Sequence, residues 1–510
     1  MQTLSSSRRW GAMLALLLGL LVVGLDVTIL NVALPTLAVD LGASTAELQW
    51  IVDAFIVVLA ALLLPAGLLG DRVGRKKVLL GGLAVFLVAC VLATTADSVA
   101  VLIAARALMG VGAAVVLPVS MAVVPSMFSG AERTRAVAVL TAGMAIGLPL
   151  GPLLGGWLLE HYWWGSVFLI NIPLILVGLA AVAVLLPESI DRHAPRIQPL
   201  PAACAVVGLA AFVYGIIEAP VEGWLSASTL VAGLGGLLLL AVFVSTQMRA
   251  ADPMVDLGLF RSRPFLWGSI VATAASLVLM GSLFLVPQYL QVVEGHSAFG
   301  TGLRLLPMIG GLMVGGLASE HLAARLGYRA TVTGGLGMLG AGCLVAMATG
   351  PETGYGLAAT WLAVLGTGLG MSLVPATDAV LGSLPPERAA VGSALMQTMR
   401  QTGGAIGVAV LGSVSSTVYL ARLDLPELPA EAERAAEDSV AGAAAAADAL
   451  GAPEVAETAF SAFTDAMTVV FLGCAVLAGA VKVAAALKFP KRIEPAEDEA
   501  QSQHEPTGTA

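Results

Sequence analysis

The chain is divided into fourteen long apolar runs, and this feature constrains its fold more than any other. A helix that crosses a membrane needs about 20 predominantly apolar residues. Only 12% of the residues are charged, whereas a soluble domain carries about 25%, so the chain has too few charges for a water-facing surface. We therefore predict an all-α integral membrane protein. The predicted helices, numbered in order, are 11–33, 48–70, 78–95, 99–124, 136–158, 165–186, 200–218, 228–247, 265–290, 301–320, 330–349, 357–381, 391–416 and 461–486.

The Lys and Arg residues lie mostly in alternate loops between the predicted helices. Loops enriched in these residues face the cytoplasm. If the N-terminus is cytoplasmic, most of the 25 basic residues fall inside, and the even number of helices places both termini there. The first run is too long for a signal peptide and contains Asp26, so we predict an uncleaved helix. The expected location is the cytoplasmic (inner) cell membrane.

A weak internal repeat divides the chain into two halves. DRVGRKK at 71–77 follows predicted helix 2, and ARLGYR at 324–329 follows predicted helix 10. Repeated halves with a site at their interface are a transporter design. The predicted organisation is an N-terminal six-helix bundle (1–190), two inserted helices with cytoplasmic linkers (191–264), a C-terminal six-helix bundle (265–487) with a long, acidic, partly helical extracytoplasmic loop (420–460), and a disordered cytoplasmic tail (488–510).

Two residues of opposite charge lie inside predicted helices 1 and 4. Asp26 is seven residues from the outer end of helix 1, and Arg106 is seven residues from the outer start of helix 4. At about 1.5 Å per residue, both lie roughly 10 Å deep. A charge at this depth needs a partner, water or neutralisation, so the equal depths predict a pair. The alternatives are a purely structural salt bridge, or an Asp26 that hydrogen-bonds Thr28 or Asn31.

Three further charged residues near the ends of predicted helices are candidates. Asp53 is five residues into helix 2 from the outside, so it can line the same cavity as Asp26. Asp378 lies near the cytoplasmic end of helix 12, where a solvated helix end is the preferred explanation. Arg400 lies within helix 13.

The loop between predicted helices 2 and 3 carries one acid followed by four cations. Asp71 and Arg72 precede Gly74 and Arg75 in the stretch GLLGDRVGRKKVL at 67–79. Gly74 permits a tight turn. The cations alone are explained as a cytoplasmic anchor, but the acid is not.

Predicted helix 5 carries glycines at every fourth position. Gly147, Gly151 and Gly155 form a smooth stripe for close helix packing. Pro152 removes one helix hydrogen bond, and Gly156 completes a GPLLGG sequence. A glycine stripe by itself indicates packing rather than function.

Together these stretches resemble the major facilitator superfamily, specifically its fourteen-helix drug:proton antiporters of the actinobacterial and staphylococcal type. The resemblance covers predicted helices 1–6 and 9–14. It rests on LDVTILNVALP at 25–35, the stretch at 67–79, LIAARALMGVGAA at 102–114 and GMAIGLPLGPLLGG at 143–156, and on similar stretches at 161–173, 283–307 and 375–413.

The resemblance implies a major facilitator fold of two six-helix bundles plus two inserted helices. It also implies export of lipophilic drugs or antibiotics in exchange for protons, by alternation between two conformations. The implied partners are a small lipophilic substrate, protons and membrane lipid, and a monomer is expected. The GPxxGG form of helix 5 implies an antiporter.

The resemblance also implies roles for particular residues. Asp26 would carry the proton and Arg106 would tune it, with Asp53 as the second candidate. Asp71 would act as a latch by meeting the start of predicted helix 13, near 389–391, where a helix dipole favours a carboxylate. Asp378 and Arg400 are candidate contributors from helices 12 and 13.

The chain departs from the family pattern in three places. Met109 replaces the usual glutamine of helix 4, and Gly165 replaces a tryptophan before helix 6. Met396 and Gln397 stand where related chains often have Asn-Asp, which weakens any acidic site on helix 13.

The sequence lacks several motifs that would indicate other functions. There is no GxxxxGK[ST] phosphate-binding loop, no HExxH and no GxSxG, so we expect energy from an ion gradient, with no cofactor and no metal. The 4 cysteines are widely spaced in apolar runs, and no basic patch suggests nucleic acid. The alternatives are a transporter of an endogenous metabolite, a non-transporting receptor or scaffold, and a membrane-embedded enzyme.

Overall fold

The computed structural model describes residues 6–191, 198–251, 253–385 and 388–491, so the predicted tail from residue 492 lies outside these ranges. Every regular element in them is a helix. Fourteen helices are long and apolar enough to cross a membrane, as predicted. They are α1 (Arg8–Asp40), α2 (Thr45–Val73), α3 (Arg75–Thr94), α4 (Val99–Met127), α5 (Gly130–His161), α6 (Ser166–Leu185), α7 (Pro199–Ile217), α8 (Ala227–Arg249), α9 (Arg263–Val293), α10 (Ala298–Leu326), α11 (Tyr328–Ala346), α12 (Tyr355–Gly382), α13 (Val391–Arg422) and α14 (Pro453–Lys488).

Most helices are longer than the apolar runs that predict them, because their polar caps lie outside the membrane. At the start of α2, the Ser44 hydroxyl accepts from the Glu47 backbone and the Glu47 carboxylate accepts from the Ser44 backbone. This capping box satisfies amide groups that have no partner within the helix. The helix ends at Gly74, whose φ of 125° suits glycine alone.

The first six helices pack into one bundle and the last six into another. In the first bundle, α1 packs along α5, and α4 packs against both α2 and α3. The second bundle repeats this arrangement, with α9 along α13 and α12 against both α10 and α11. This is the predicted fold of two six-helix bundles.

The two inserted helices form a hairpin beside the line where the bundles meet. α7 touches α2 of the first bundle and α13 of the second, whereas α8 packs mainly on α7. A Cβ on Gly236 of α8 would meet the backbone of Gly208 and Phe212 on α7, so the two backbones are in direct contact. Trp50 of α2 donates to Glu218, after α7, at 3.2 Å.

We call the side where α1 begins and α14 ends the basic side, since its loops carry Arg75, Arg329 and Lys491. The opposite, acidic side carries the segment 423–452, which contains two short helices, Ala430–Asp438 and Val440–Leu450. Four of the alanines in the second short helix are buried. It packs against α1 and α14 and therefore touches both bundles.

Among the described residues, the hydrogen bonds between the two bundles lie near the acidic side. Gln49 of α2 donates to two backbone oxygens of α13 at 2.9 and 3.0 Å. Gln291, in a π-helical turn at the end of α9, donates to the Val32 oxygen at 2.9 Å. The Thr45 hydroxyl donates to the Asp438 oxygen at 2.9 Å. The structure is therefore a conformation closed at the acidic side.

Candidate functional site

Asp26 on α1 and Arg106 on α4 form an ion pair inside the first bundle. Nη1 of Arg106 donates to Oδ2 of Asp26, and Nε donates to the Ile51 backbone oxygen on α2 at 3.0 Å. The guanidinium carbon lies 4.5 Å from the centroid of the Phe55 ring, within cation–π range. The Arg106 and Asp26 side chains are 2% and 0% exposed. Arg106 thus joins α1, α2 and α4 around one carboxylate.

The alternative partners of Asp26 on its own helix are engaged elsewhere. The Thr28 hydroxyl lies 3.2 Å from the Leu148 backbone oxygen on α5, and the Asn31 amide donates within α1 at 3.2 Å. Oδ1 of Asp26 has no hydrogen-bond partner among the described residues. The carboxylate therefore depends on Arg106, and it retains one oxygen on which a proton can reside.

Asp53 on α2 is buried where that helix meets the second bundle. It follows Gln49 by one turn, and Gln49 bonds α13. Phe55 faces Arg106 instead, because residues two apart point in nearly opposite directions around a helix. Neither carboxyl oxygen of Asp53 has a partner within the described ranges. Burying a carboxyl without hydrogen bonds is costly, and α2 separates this one from the Asp26–Arg106 pair.

The motif between α2 and α3 lies at the basic side. The Asp71 carboxylate accepts from Nε and Nη2 of Arg75 at 2.8 and 2.7 Å. Arg72 is exposed, and Gly74 supplies the turn. Among the described residues, Asp71 bonds to Arg75 within the first bundle, and the contact expected with the start of α13 stays a prediction.

The segment that follows α6, residues 188–191, also bonds to residues 71–76 of this motif. Two backbone hydrogen bonds, at 3.0 and 2.8 Å, tie 71–75 to 189–191. The Glu188 carboxylate accepts from the Lys76 backbone at 3.1 Å. A Cβ on Gly74 would lie 2.7 Å from that carboxylate, so glycine is needed for space as well as for its φ. Glu188 was not predicted from the sequence as part of this motif, although an acid close after a predicted helix was a visible signal.

The glycine stripe of α5 packs on α1. A Cβ on Gly147, Gly151 or Gly155 would come within 2.8–3.1 Å of the α1 backbone. The next residue, Gly156, faces the second bundle instead, where a Cβ would lie 2.5 Å from the Ala298 oxygen of α10. The motif thus contributes both to packing within the first bundle and to the closed contact between bundles.

A small apolar recess lies between the bundles, where α1 and α5 face α9 and α10. Thr28 lines it, and lies on roughly the opposite face of α1 from Asp26. Pro152 of the helix-5 motif also lines it. The remaining lining residues are aliphatic or Met: Leu148, Leu279, Leu283, Met308, Ile309 and Leu312. The recess therefore suits an apolar group, and α1 connects it to the buried ion pair.

The structure does not bring Asp378 or Arg400 to the ion pair. Asp378 is exposed on α12. Arg400 lies on α13, one turn from Gly404, which approaches Ile56 of α2. Its Nε is buried without a hydrogen-bond partner in the part of the chain that the structure describes.

Two contributors to the closed contact were not predicted from the sequence. Gln49 and Gln291 are amides inside or at the end of apolar helices, and a buried amide needs hydrogen bonds. Their positions were a signal of interbundle contact, but only the packing shows which backbone oxygens they bind.

Comparison with known proteins gives the same family. The family model described as Major Facilitator Superfamily matches residues 16–408. The multidrug efflux pump LfrA of Mycolicibacterium smegmatis is 35% identical over 494 residues, which cover 95% of this chain and 98% of that protein. The tetracenomycin C resistance and export protein of Streptomyces glaucescens is 32% identical, over 99% of this chain and 95% of that protein.

Solved structures show the same fold at lower identity. A bacterial homolog of the human lysosomal transporter Spinster, in an inward-facing and unoccupied conformation, superimposes with a TM-score of 0.69 at 17% identity. The match covers 96% of this chain and all of that one. Since the family model spans both bundles and two relatives align along nearly their full length, the chain belongs to the Major Facilitator Superfamily.

Proposed function

We propose that the protein exports lipophilic drugs or antibiotics across the cytoplasmic membrane in exchange for protons. The observation that carries this proposal is the pair of buried carboxyls, one held by Arg106 and the other, Asp53, unpaired between the bundles. Intramembrane acids in a bundle interior mark proton or substrate pathways. The printed names of the relatives, a multidrug efflux pump and an antibiotic export protein, support the substrate class.

In the proposed orientation both termini lie in the cytoplasm, so that the basic side faces inward. In this proposal the conformation closed at the acidic side receives substrate from the cytoplasm. The protein works as a monomer in lipid, since its apolar recess lies between the two bundles of one chain. Membership of a transporter family favours this function over a membrane-embedded enzyme or a receptor.

Proton binding and substrate binding are coupled through the contacts that α1 and α2 make. Proton uptake by Asp26 loosens its bond to Arg106, and substrate in the recess presses on the opposite face of α1. Each ligand therefore favours a different conformation, which is the requirement for antiport. Asp53, at the contact between α2 and α13, is the second candidate for carrying the proton. Its charge depends on whether that contact is closed.

We expect export to stop when the proton gradient is collapsed and to continue when only ATP is removed. The experiment uses inside-out vesicles that contain the protein and are energised by a respiratory substrate. It measures their uptake of the lipophilic cation ethidium. An uncoupler should abolish uptake, whereas vesicles depleted of ATP but still respiring should keep it. Vesicles without the protein are the control. Uptake that survives the uncoupler but needs ATP would refute proton coupling.

The substitution Asp71→Asn should slow transport about tenfold without reducing the amount of protein in the membrane. Asparagine keeps the size but loses the charge that binds Arg75 here and that a helix N-terminus favours in the other conformation, an effect of up to about 2 kcal/mol. The matched control is Glu132→Gln, which removes an exposed basic-side acid bonded to Arg9. If the two variants transport equally, Asp71 has no role as a latch and belongs only to the loop that sets the cytoplasmic orientation.

A further inference from the structure

Lys482 is a cation on the lipid-facing surface of the second bundle. It lies on α14, six residues before the end of that helix, which is about 9 Å along the helix axis. Its side chain is exposed, and the neighbouring Val483 is 61% exposed. α14 and α11 pack against helices of their own bundle and the short acidic-side helix that borders it. The surface around Lys482 therefore faces lipid rather than the recess between the bundles.

The ammonium of Lys482 rests in a groove between α11 and α14. Nζ lies 2.9 Å from the position that a Cβ on Gly337 would occupy, so the absence of a side chain on α11 makes room for it. One turn further along, Gly340 faces Ala478 across the same groove, where an added Cβ would be 3.7 Å from the Ala478 Cβ. Small residues on both helices thus leave a shallow channel that an acyl chain can follow.

No protein anion neutralises Lys482 in the described part of the chain, where it forms no ion pair or hydrogen bond. A lone ammonium in lipid is costly, and it either reaches toward the headgroup layer or recruits an anion. The contact with Gly337 holds Nζ within the groove. The missing negative charge is therefore available only from outside the protein.

Two further cations stand at the basic-side rim of this groove. Arg329, at the start of α11, donates from Nε to the Phe489 backbone oxygen just after α14. The Tyr328 amide donates to the Lys491 oxygen at 3.2 Å. These bonds fold the end of α14 over the start of α11, so Arg329 and Lys491 lie at the mouth of the groove whose wall holds Lys482.

We infer that this groove binds one anionic phospholipid from the leaflet at the basic side. Its phosphate is held at the rim near Arg329 and Lys491 and is drawn inward by Lys482, while an acyl chain follows the small residues between the helices. Basic pockets between helices at this level of the membrane recognise anionic headgroups. The apolar surroundings require the lipid form of the anion, not a free phosphate.

The test is native mass spectrometry of the purified full chain with added phosphatidylglycerol or phosphatidylcholine. The wild-type protein should retain phosphatidylglycerol, and Lys482→Met should weaken that binding about fivefold, as expected for one basic residue near the surface. Lys482→Arg should retain it. Gly337→Leu, which fills the groove, should weaken it to a similar extent. Inorganic phosphate should not compete.

The matched control is Lys488→Met on the same helix, because the Lys488 ammonium lies over the Trp267 ring of α9 at 5.5 Å and not in the groove. Its phosphatidylglycerol binding should equal that of the wild type. Equal binding by Lys482→Met and the wild type, equal retention of phosphatidylcholine, or displacement by phosphate would each overturn the inference. Lys482→Met removes a charge from lipid, so loss of folding is not expected to obscure the result.

Discussion

Asp26→Asn is expected to abolish proton-coupled export while leaving the protein folded. Asparagine has nearly the same volume, and its oxygen can still accept from Arg106, but it cannot take up or release a proton. Breaking a buried ion pair costs about 3–5 kcal/mol. We expect the lower end, because Arg106 keeps the Ile51 oxygen and the Phe55 ring as partners. The measurements are ethidium uptake by inside-out vesicles and the thermal unfolding of purified protein.

Three outcomes separate the roles proposed for this residue. An inactive but folded variant supports Asp26 as the proton carrier. A misfolded variant indicates that the pair with Arg106 is purely structural, and normal proton-coupled uptake would remove Asp26 from the mechanism and leave Asp53 as the candidate. Asp97→Asn, an exposed acid before α4, is the control for expression and should remain active.

Asp26→Glu refines the result, since it keeps the ionisable group and moves it by about one methylene. The pocket around the carboxylate is formed by α1, α2 and α4 and is fully buried, so the longer side chain must displace Arg106 from part of its contacts. We expect partial activity. Full loss of activity in a folded Asp26→Glu protein would mean that the position of the carboxylate matters as much as its proton.

The sequence predicted the number of membrane helices and the pairing of Asp26 with Arg106, and the adjacency of helices 1 and 4 came from the family resemblance. Apolar run length sets the first, and equal depth in neighbouring helices sets the second. The bounds were less accurate: α13 continues to Arg422, beyond the predicted end at 416, and Tyr419 in this added part is buried.

The conformation could not be predicted from sequence, because two packings of the same helices differ by only a few kcal/mol. Here the Asp71 carboxylate binds Arg75, and its contact with the start of α13 stays a prediction for the other packing. The same limit applies to Asp53. Its depth placed it near Asp26, but the direction of its side chain around α2 depends on how that helix is rotated, and it faces α13 instead.

Gly156→Leu is expected to shift the protein toward the conformation open at the acidic side. In the closed structure a Cβ at this position would lie 2.5 Å from the Ala298 oxygen and 2.6 Å from the Phe299 Cα. Both contacts are with backbone at the start of α10, which cannot rotate away as a side chain could. In the proposed alternating mechanism the bundles separate at this point in the other conformation, so the clash penalises only the closed state.

Overpacking of this kind costs about 1–3 kcal/mol, and about 1.4 kcal/mol changes a population ratio tenfold. The acidic side should therefore be open roughly tenfold more often, with export reduced because the return step is blocked.

Ser413, which is buried beside Gln49 in the closed contact, can report this opening when it is replaced by cysteine in a chain without its native cysteines. A membrane-impermeant maleimide should label Ser413→Cys about tenfold faster in the Gly156→Leu background. Gly235→Leu on α8, where an added Cβ meets no atom within 4 Å, should leave labelling unchanged. Unaltered labelling in Gly156→Leu would show that α5 and α10 do not form the contact that closes this side.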